Sequence, residues 1–187
     1  MKKFGSPGLI IVGYQGIGKS SVCQVSRESD GIIDFESSLL KVDGFRAADW
    51  YVIYCRQAVA LAKQGYTVLI SSHECVRTEL AKYDQDGFNV VIIMPHYSLQ
   101  NKWISKLHDR YLNEPSDANY AAWKNAEEKF AQNICELASD PNFGHIFIMD
   151  MHYHLYSMLR NLKLIYSTRG YYDKYGDKSC ENRSIIE

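Results

Sequence analysis

The densest chemical signal in this chain of 187 residues is the octet Gly13-Tyr14-Gln15-Gly16-Ile17-Gly18-Lys19-Ser20. One glycine, four intervening residues, then Gly-Lys-Ser is the spacing of a loop that wraps a phosphate chain. Glycines at 13, 16 and 18 are expected to permit backbone angles that turn successive N–H groups inward, and the amino end of the following helix adds partial positive charge. Lys19 is placed to reach β- and γ-phosphate oxygens. The Ser20 hydroxyl is placed to ligate a Mg²⁺ bridging them. The expected ligand is therefore a nucleoside triphosphate with Mg²⁺, held by Gly13, Tyr14, Gln15, Gly16, Ile17, Gly18, Lys19, Ser20 and Ser21. A glycine turn that bound nothing would have no use for the Lys-Ser pair. The loop alone does not name the reaction, because one fold hosts many chemistries.

Further candidates follow the other apolar runs. Asp34 ends Gly31-Ile32-Ile33-Asp34-Phe35 and is followed by Glu36. A carboxylate there can hold Mg²⁺ through water or accept a proton from an attacking hydroxyl. Asp150, after Ile146-Phe147-Ile148-Met149, competes for the magnesium role, and Glu74 is a third possibility. Arg77, in Ser71-Ser72-His73-Glu74-Cys75-Val76-Arg77, is expected to clamp an anionic acceptor bidentately, with Arg46 a lesser candidate on the opposite wall. Lys102, Lys106 and Arg110 recur every four residues, which sets a cationic helix face beside the apolar stripe Trp103, Leu107 and Tyr111. Such a helix can close over a triphosphate, with Lys106 and Arg110 neutralising the transferring group. His152 and His154 near Asp150 lack a convincing third metal ligand. Cys75 has no evident partner base and reads as a half-buried helix residue.

The elements that must position these groups alternate regularly. Strands are expected at Leu9 to Val12, Gly31 to Phe35, Tyr66 to Ser71, Phe88 to Met94 and Ile146 to Met149. Helices are expected from Ser20 to Glu28, Trp50 to Lys63, Glu74 to Tyr83, Leu99 to Tyr111, Asp117 to Ala138 and His154 to Leu162. In the long fifth helix Tyr120, Trp123, Phe130, Ile134 and Leu137 read as core. Continuous apolar strands separated by helices predict an α/β fold of three layers around a parallel five-stranded sheet. Ligands then bind beyond the carboxyl ends of the strands, where Gly13, Asp34, Ser71 to Glu74, Pro95 to Tyr97 and Asp150 should meet.

Composition sets outer bounds. With 46% hydrophobic and 23% charged residues the chain suits one domain, over 1–162, followed by a polar tail over 163–187 that carries Tyr166, Tyr171, Tyr172 and Tyr175 and reads as flexible or partner-dependent. A net charge of −1 gives no general attraction for nucleic acid or anionic membrane, and no stretch approaches a membrane span. Five cysteines without paired spacing suit reduced thiols and a cytoplasmic location. The oligomeric state is open.

The segments Ile32-Ile33-Asp34-Phe35-Glu36-Ser37-Ser38, Val68 to Arg77 and Met94 to Tyr111, together with the phosphate loop, resemble the small P-loop kinases of the nucleoside monophosphate kinase group, particularly the phage-type deoxynucleoside monophosphate kinases. The likeness spans about residues 8–162. It implies a sheet in the adenylate-kinase order, ATP as donor, Mg²⁺, an acceptor-binding region around 40–64 and a lid around 96–115 containing Lys106 and Arg110. The Asp-Arg pair common after the third strand of such kinases is Ser-His-Glu here, and the lid is short, as in the shikimate and gluconate kinases. Phosphoryl transfer to a nucleoside or deoxynucleoside monophosphate is the leading expectation, with Lys19, Asp34, Lys106 and Arg110 catalytic, Ser20 and Asp34 on the metal, and a small-molecule acceptor as partner. The alternatives are a hydroxyl kinase for a small metabolite, a non-catalytic ATP-binding module, and a kinase of polynucleotide ends. A guanine-specific switch would want Asn-Lys-x-Asp, and Asn101-Lys102-Trp103-Ile104 lacks the acid.

Overall fold

Every residue of the first strand, β1 (Gly8–Gly13), is buried. Successive side chains of a strand point to opposite faces, so the sheet must be covered on both. The computed structural model describes residues 8–42 and 45–164. In chain order, β1 is followed by α1 (Lys19–Val25), β2 (Ile32–Asp34), β3 (Lys41–Val42), β4 (Phe45–Arg46), α2 (Trp50–Ala62), β5 (Thr67–Ser71), α3 (Glu74–Leu80), β6 (Phe88–Pro95), α4 (Gln100–Asn113), α5 (Asp117–Ala138) and β7 (Gly144–Ile148). A last helix, α6, runs over 155–164.

Five strands form one parallel sheet in the order β2-β5-β1-β6-β7, as the alternation of strands and helices predicts. β1 is central and wholly buried, while the edge strands β2 and β7 are mostly half-buried. Parallel pairing brings the carboxyl ends of all five strands to one side, with Gly13 opposite Ser71 on one flank and Ile93 on the other. β3 and β4 form a separate antiparallel ribbon. Burial of Ile10, Ile11, Leu69, Ile92 and Ile93 from the strands, with Tyr54, Trp103 and Phe130 from the helices, makes one continuous core.

Several boundaries differ from the sequence expectation. α1 stops at Val25 instead of Glu28 because Ser26 turns extended, and the Asp30 carboxylate accepts the Arg27 N–H at 2.7 Å, diverting backbone that would have continued the helix. α6 extends to 164, two residues beyond the expected domain end, where Lys163 donates to Asp30 O and Gly65 O. The rest of the expected tail lies outside the described residues. In α5, Phe130, Ile134 and Leu137 are core as expected, but Tyr120 is 46% exposed and Trp123 only half-buried. Trp123 stacks on Tyr111 of α4, and Tyr120 meets both rings edge-on. No helix among the described residues is long and apolar enough to cross a membrane.

Candidate active site

Two phosphate-loop glycines hold left-handed backbone, Gly16 at φ 80° and Gly18 at φ 90°. Gly13 does not share that geometry. It is required for close approach instead, since a Cβ there would lie 2.5 Å from Ile17 Cδ1. Tyr14 and Ile17, expected among the nucleotide contacts, point inward and are 2% and 0% exposed, so they offer the ligand main chain. Lys19 Nζ donates to Gly13 O at 3.2 Å, and burial lowers its pKa, opposed by the nearby Asp34 and Glu36 carboxylates.

The cationic helix is docked on the loop. Trp103 Nε1 donates to Gln15 O at 2.9 Å, and Leu107 packs so near Gly16 that a Cβ there would meet its Cδ2 at 2.8 Å. From the same helix Lys106 Nζ donates to Gly16 O at 2.9 Å and lies 4.4 Å from the Trp103 ring centre. Its pKa is lowered by burial first and then by Arg110. Gln15 Nε2 ties the loop to α5 through Ala122 O at 2.8 Å. A recess of about 610 Å³ lies between loop and helix, lined by Gly16, Gly18, Lys19, Ser20, Lys106 and Arg110 among others. Three cations named from sequence, Lys19, Lys106 and Arg110, thus meet, whereas Lys102 is exposed and absent from this lining.

Asp34 stands under the loop. Ser20 Oγ donates to its Oδ2 at 2.9 Å, while its Oδ1 is buried without a hydrogen-bond partner. Burial raises the Asp34 pKa, with the Ser20 hydrogen bond and Lys19 opposing. A hydroxyl and a carboxylate held together, with one carboxylate oxygen unsatisfied, are hard oxygen donors of the kind Mg²⁺ takes. The other two carboxylates considered for that role do not share the position. Asp150 is exposed and accepts the His152 N–H at 2.9 Å within its own loop, and Glu74 is exposed at the start of α3.

A second recess, of about 570 Å³, opens beside the first and is lined by Arg46, Arg77, Ser37, Ser72, Asn125 and Glu136 among others. Arg46 comes from β4. Its Nε donates to Ser37 O at 3.1 Å, its Nη2 to Ser37 Oγ at 2.8 Å, and its guanidinium sits 4.5 Å from the Trp50 ring centre. Arg77 is buried, with Nε on Asp140 Oδ2 at 3.0 Å and Nη1 on Ser72 O at 2.6 Å. Its partner is 63 residues away in sequence, which helix spacing gave no means of finding. Gln15, Glu36 and Ala122 line both recesses. The expected contribution of Pro95 to Tyr97 is absent from both lining sets; His96 is engaged with Ser98 at 2.9 Å. A third recess, of about 300 Å³, adjoins Gly18 and Ser21 and is walled by Ile17, Val22, Tyr153 and Leu155.

No protein-family model and no curated protein matches the chain. Among solved structures, a gluconokinase from Sinorhizobium meliloti aligns over 90% of this chain and 98% of its own, at 14% identity and a TM-score of 0.55. A shikimate kinase from Bacteroides thetaiotaomicron aligns over 84% of this chain and 96% of its own, at 9% identity and a TM-score of 0.46. The likeness to the first, together with the five-stranded parallel sheet and its phosphate loop, gives the chain the three-layer α/β fold of the P-loop kinases.

Proposed function

We propose that the chain transfers the γ-phosphoryl group of ATP to a hydroxyl of a small polar metabolite. The observation that carries this reading is the junction of the two recesses at Gln15, Glu36 and Ala122, where Glu36 supplies a carboxylate between donor and acceptor. A hydroxyl must lose its proton when it attacks, whereas a phosphate acceptor has already lost it, so a base at the junction suits a hydroxyl. Glu36 replaces Asp34 in that role, because Asp34 is engaged with Ser20 and lines neither recess. The acceptor oxygen bonds to the γ-phosphorus, the bond to the β–γ bridging oxygen breaks, ADP leaves, and the hydroxyl proton passes to Glu36.

The remaining residues position and neutralise. Loop N–H groups hold the phosphate chain, and Lys19, Lys106 and Arg110 meet the charge that spreads over the transferring group. Ser20 and Asp34 would hold Mg²⁺, which neutralises phosphate charge when bound. The apolar recess beside Gly18 would receive the donor's base. Arg77 already has its charge matched by Asp140, leaving Arg46, which among the described residues bonds neutral groups of Ser37, to meet one anionic group on the acceptor. That balance favours a singly charged hydroxy compound over a phosphate dianion. A nucleoside monophosphate is the second reading, supported by the presence of both arginines in the acceptor recess.

The test is ADP release with ATP and Mg²⁺ across sugar acids and other polyols, hydroxy acids and nucleoside monophosphates. The expected result is stimulation by a hydroxy compound, with Glu36→Gln lowering kcat by about 10²–10⁴-fold while nucleotide affinity is kept. Stimulation by monophosphates alone, undisturbed by Glu36→Gln, selects the second reading. Release never exceeding the water-only background rejects both.

A further inference from the structure

The strand next to β1 ends without an acid. In P-loop nucleotide hydrolases an aspartate accompanies the loop Ser or Thr on the metal. Here β5 closes on Ser71, directly opposite Gly13 in the β1 register, and runs on through Ser72 and His73. The carboxylate comes instead from β2, the strand on the far side of β5.

Two buried oxygens at these strand ends, Asp34 Oδ1 and Ser71 Oγ, have no hydrogen-bond partner of good geometry among the described residues, although the Tyr54 hydroxyl lies beside the second. An unsatisfied buried polar atom costs about 1–3 kcal/mol, so two at one place call for a common explanation. The strand ends are also braced. Tyr54, 0% exposed, donates from its hydroxyl to Phe35 O and accepts the Ser71 N–H at 3.1 Å, and its ring stacks on Phe35 at 4.9 Å. One buried tyrosine therefore links the backbone just after Asp34 to that of Ser71. Such a strut holds the two groups in register and sets the Tyr54 hydroxyl beside the Ser71 side chain.

We infer that Ser71 is a positioning residue for the bound cation: its hydroxyl, with the free oxygen of Asp34, receives hydrogen bonds from the cation's water shell beside Ser20. The inference rests on the metal assignment of Ser20 and Asp34 and goes beyond it by adding a residue from a third element. A hydroxyl in place of the usual carboxylate leaves Asp34 as the acid bonded to Ser20, with Glu36 a more distant negative charge in the same recess. Metal affinity should then depend on hydrogen-bond geometry as much as on charge.

The test is the dissociation constant of Mn²⁺ from the full chain saturated with ADP, read from the free-ion electron paramagnetic resonance signal, with thermal unfolding of each ligand-free variant as a fold check. Ser71→Ala is expected to weaken Mn²⁺ by about tenfold, the lower end for losing an outer-sphere partner, without lowering the ligand-free Tm. Ser71→Thr keeps the hydroxyl and should bind within about twofold of the native chain. Asp34→Asn should weaken binding at least as much as Ser71→Ala. Native affinity in Ser71→Ala, with weakened binding in Asp34→Asn, overturns the inference alone. Native affinity in both overturns the metal assignment beneath it. Equal weakening in Ser71→Ala and Ser71→Thr assigns the effect to packing and also overturns the inference.

Discussion

Replacing Gly16 by alanine tests whether the cationic helix rests on the phosphate loop in the nucleotide-free protein. Gly16 has φ 80°, and an added Cβ would stand 2.8 Å from Leu107 Cδ2 and 3.2 Å from Trp103 Nε1. Left-handed backbone costs a non-glycine residue about 1–2 kcal/mol, and overpacking adds about 1–3 kcal/mol. Gly18 is the internal control, because it shares the left-handed geometry at φ 90° but has nothing within 4 Å of its Cβ position. Gly18→Ala should therefore lose only the backbone part. Gly16→Ala should lose about 2–5 kcal/mol, which for a chain of this size lowers Tm by about 2–4 °C per kcal/mol. Leu107 is 1% exposed, and Leu107→Ala should cost about 2–5 kcal/mol alone while making room for the new methyl group. The double variant should then be more stable than the sum of the single losses by about 1–3 kcal/mol, the overpacking part. Urea denaturation of the four proteins measures this directly. Equal losses at Gly16 and Gly18, with additive behaviour for Gly16 and Leu107, would refute the docked helix.

Two further outcomes follow from charges in the interior. Asp140→Ala leaves Arg77 buried without its counter-ion and should cost about 3–5 kcal/mol in urea denaturation, whereas Arg77→Met with Asp140→Leu should recover most of it; equal losses in the two variants would contradict a buried pair. Lys19 and Lys106 have pKa values below the ordinary lysine value, so in the free protein they lose their protons at lower pH than exposed lysines. Phosphate binding favours their charged forms, and ATP binding should become coupled to proton uptake, and weaken, as pH rises toward that lowered range. Calorimetry in buffers of different ionisation enthalpy reads the uptake; ATP affinity unchanged up to the ordinary lysine range would contradict the assignment.

The parts of this molecule legible in its sequence are those governed by local chemistry. The Gly13–Ser20 spacing gave the loop, and unbroken runs such as Leu9 to Val12 gave the buried strands, because phosphate binding and two-sided burial restrict residue type at each position. The four-residue recurrence of Lys106 and Arg110 gave the face that turns toward the phosphate loop. Partners distant along the chain were not legible. Arg77 lies on α3 and Asp140 in the turn after α5, 63 residues further on, and no spacing rule connects them. Asp34 and Glu36 are two residues apart and equally acidic, yet one is bonded to Ser20 and the other stands at the junction of the recesses. Asp34 closes β2 while Glu36 lies beyond it and accepts from Ser38, and residue type carries no trace of that division. Tyr120 and Trp123 have helical spacing that fits a core, but α4 covers them incompletely, so they form an outer aromatic cluster instead.

In the proposed reaction the phosphate loop grips the triphosphate of the donor, with Lys19 supplying charge from within. Trp103 is fully buried and bonds directly to Gln15 of the loop, so its emission provides a signal at the site. Titration of Mg·ATP into the native chain should give a saturable change in that emission, confirmed by calorimetry at one nucleotide per chain. Lys19→Ala should lower ATP turnover by about 10²-fold or more, as expected for removing a preorganised stabiliser of the transferring group, and should weaken the titration. No saturable binding at millimolar Mg·ATP, or the same binding and turnover in Lys19→Ala, would contradict the account.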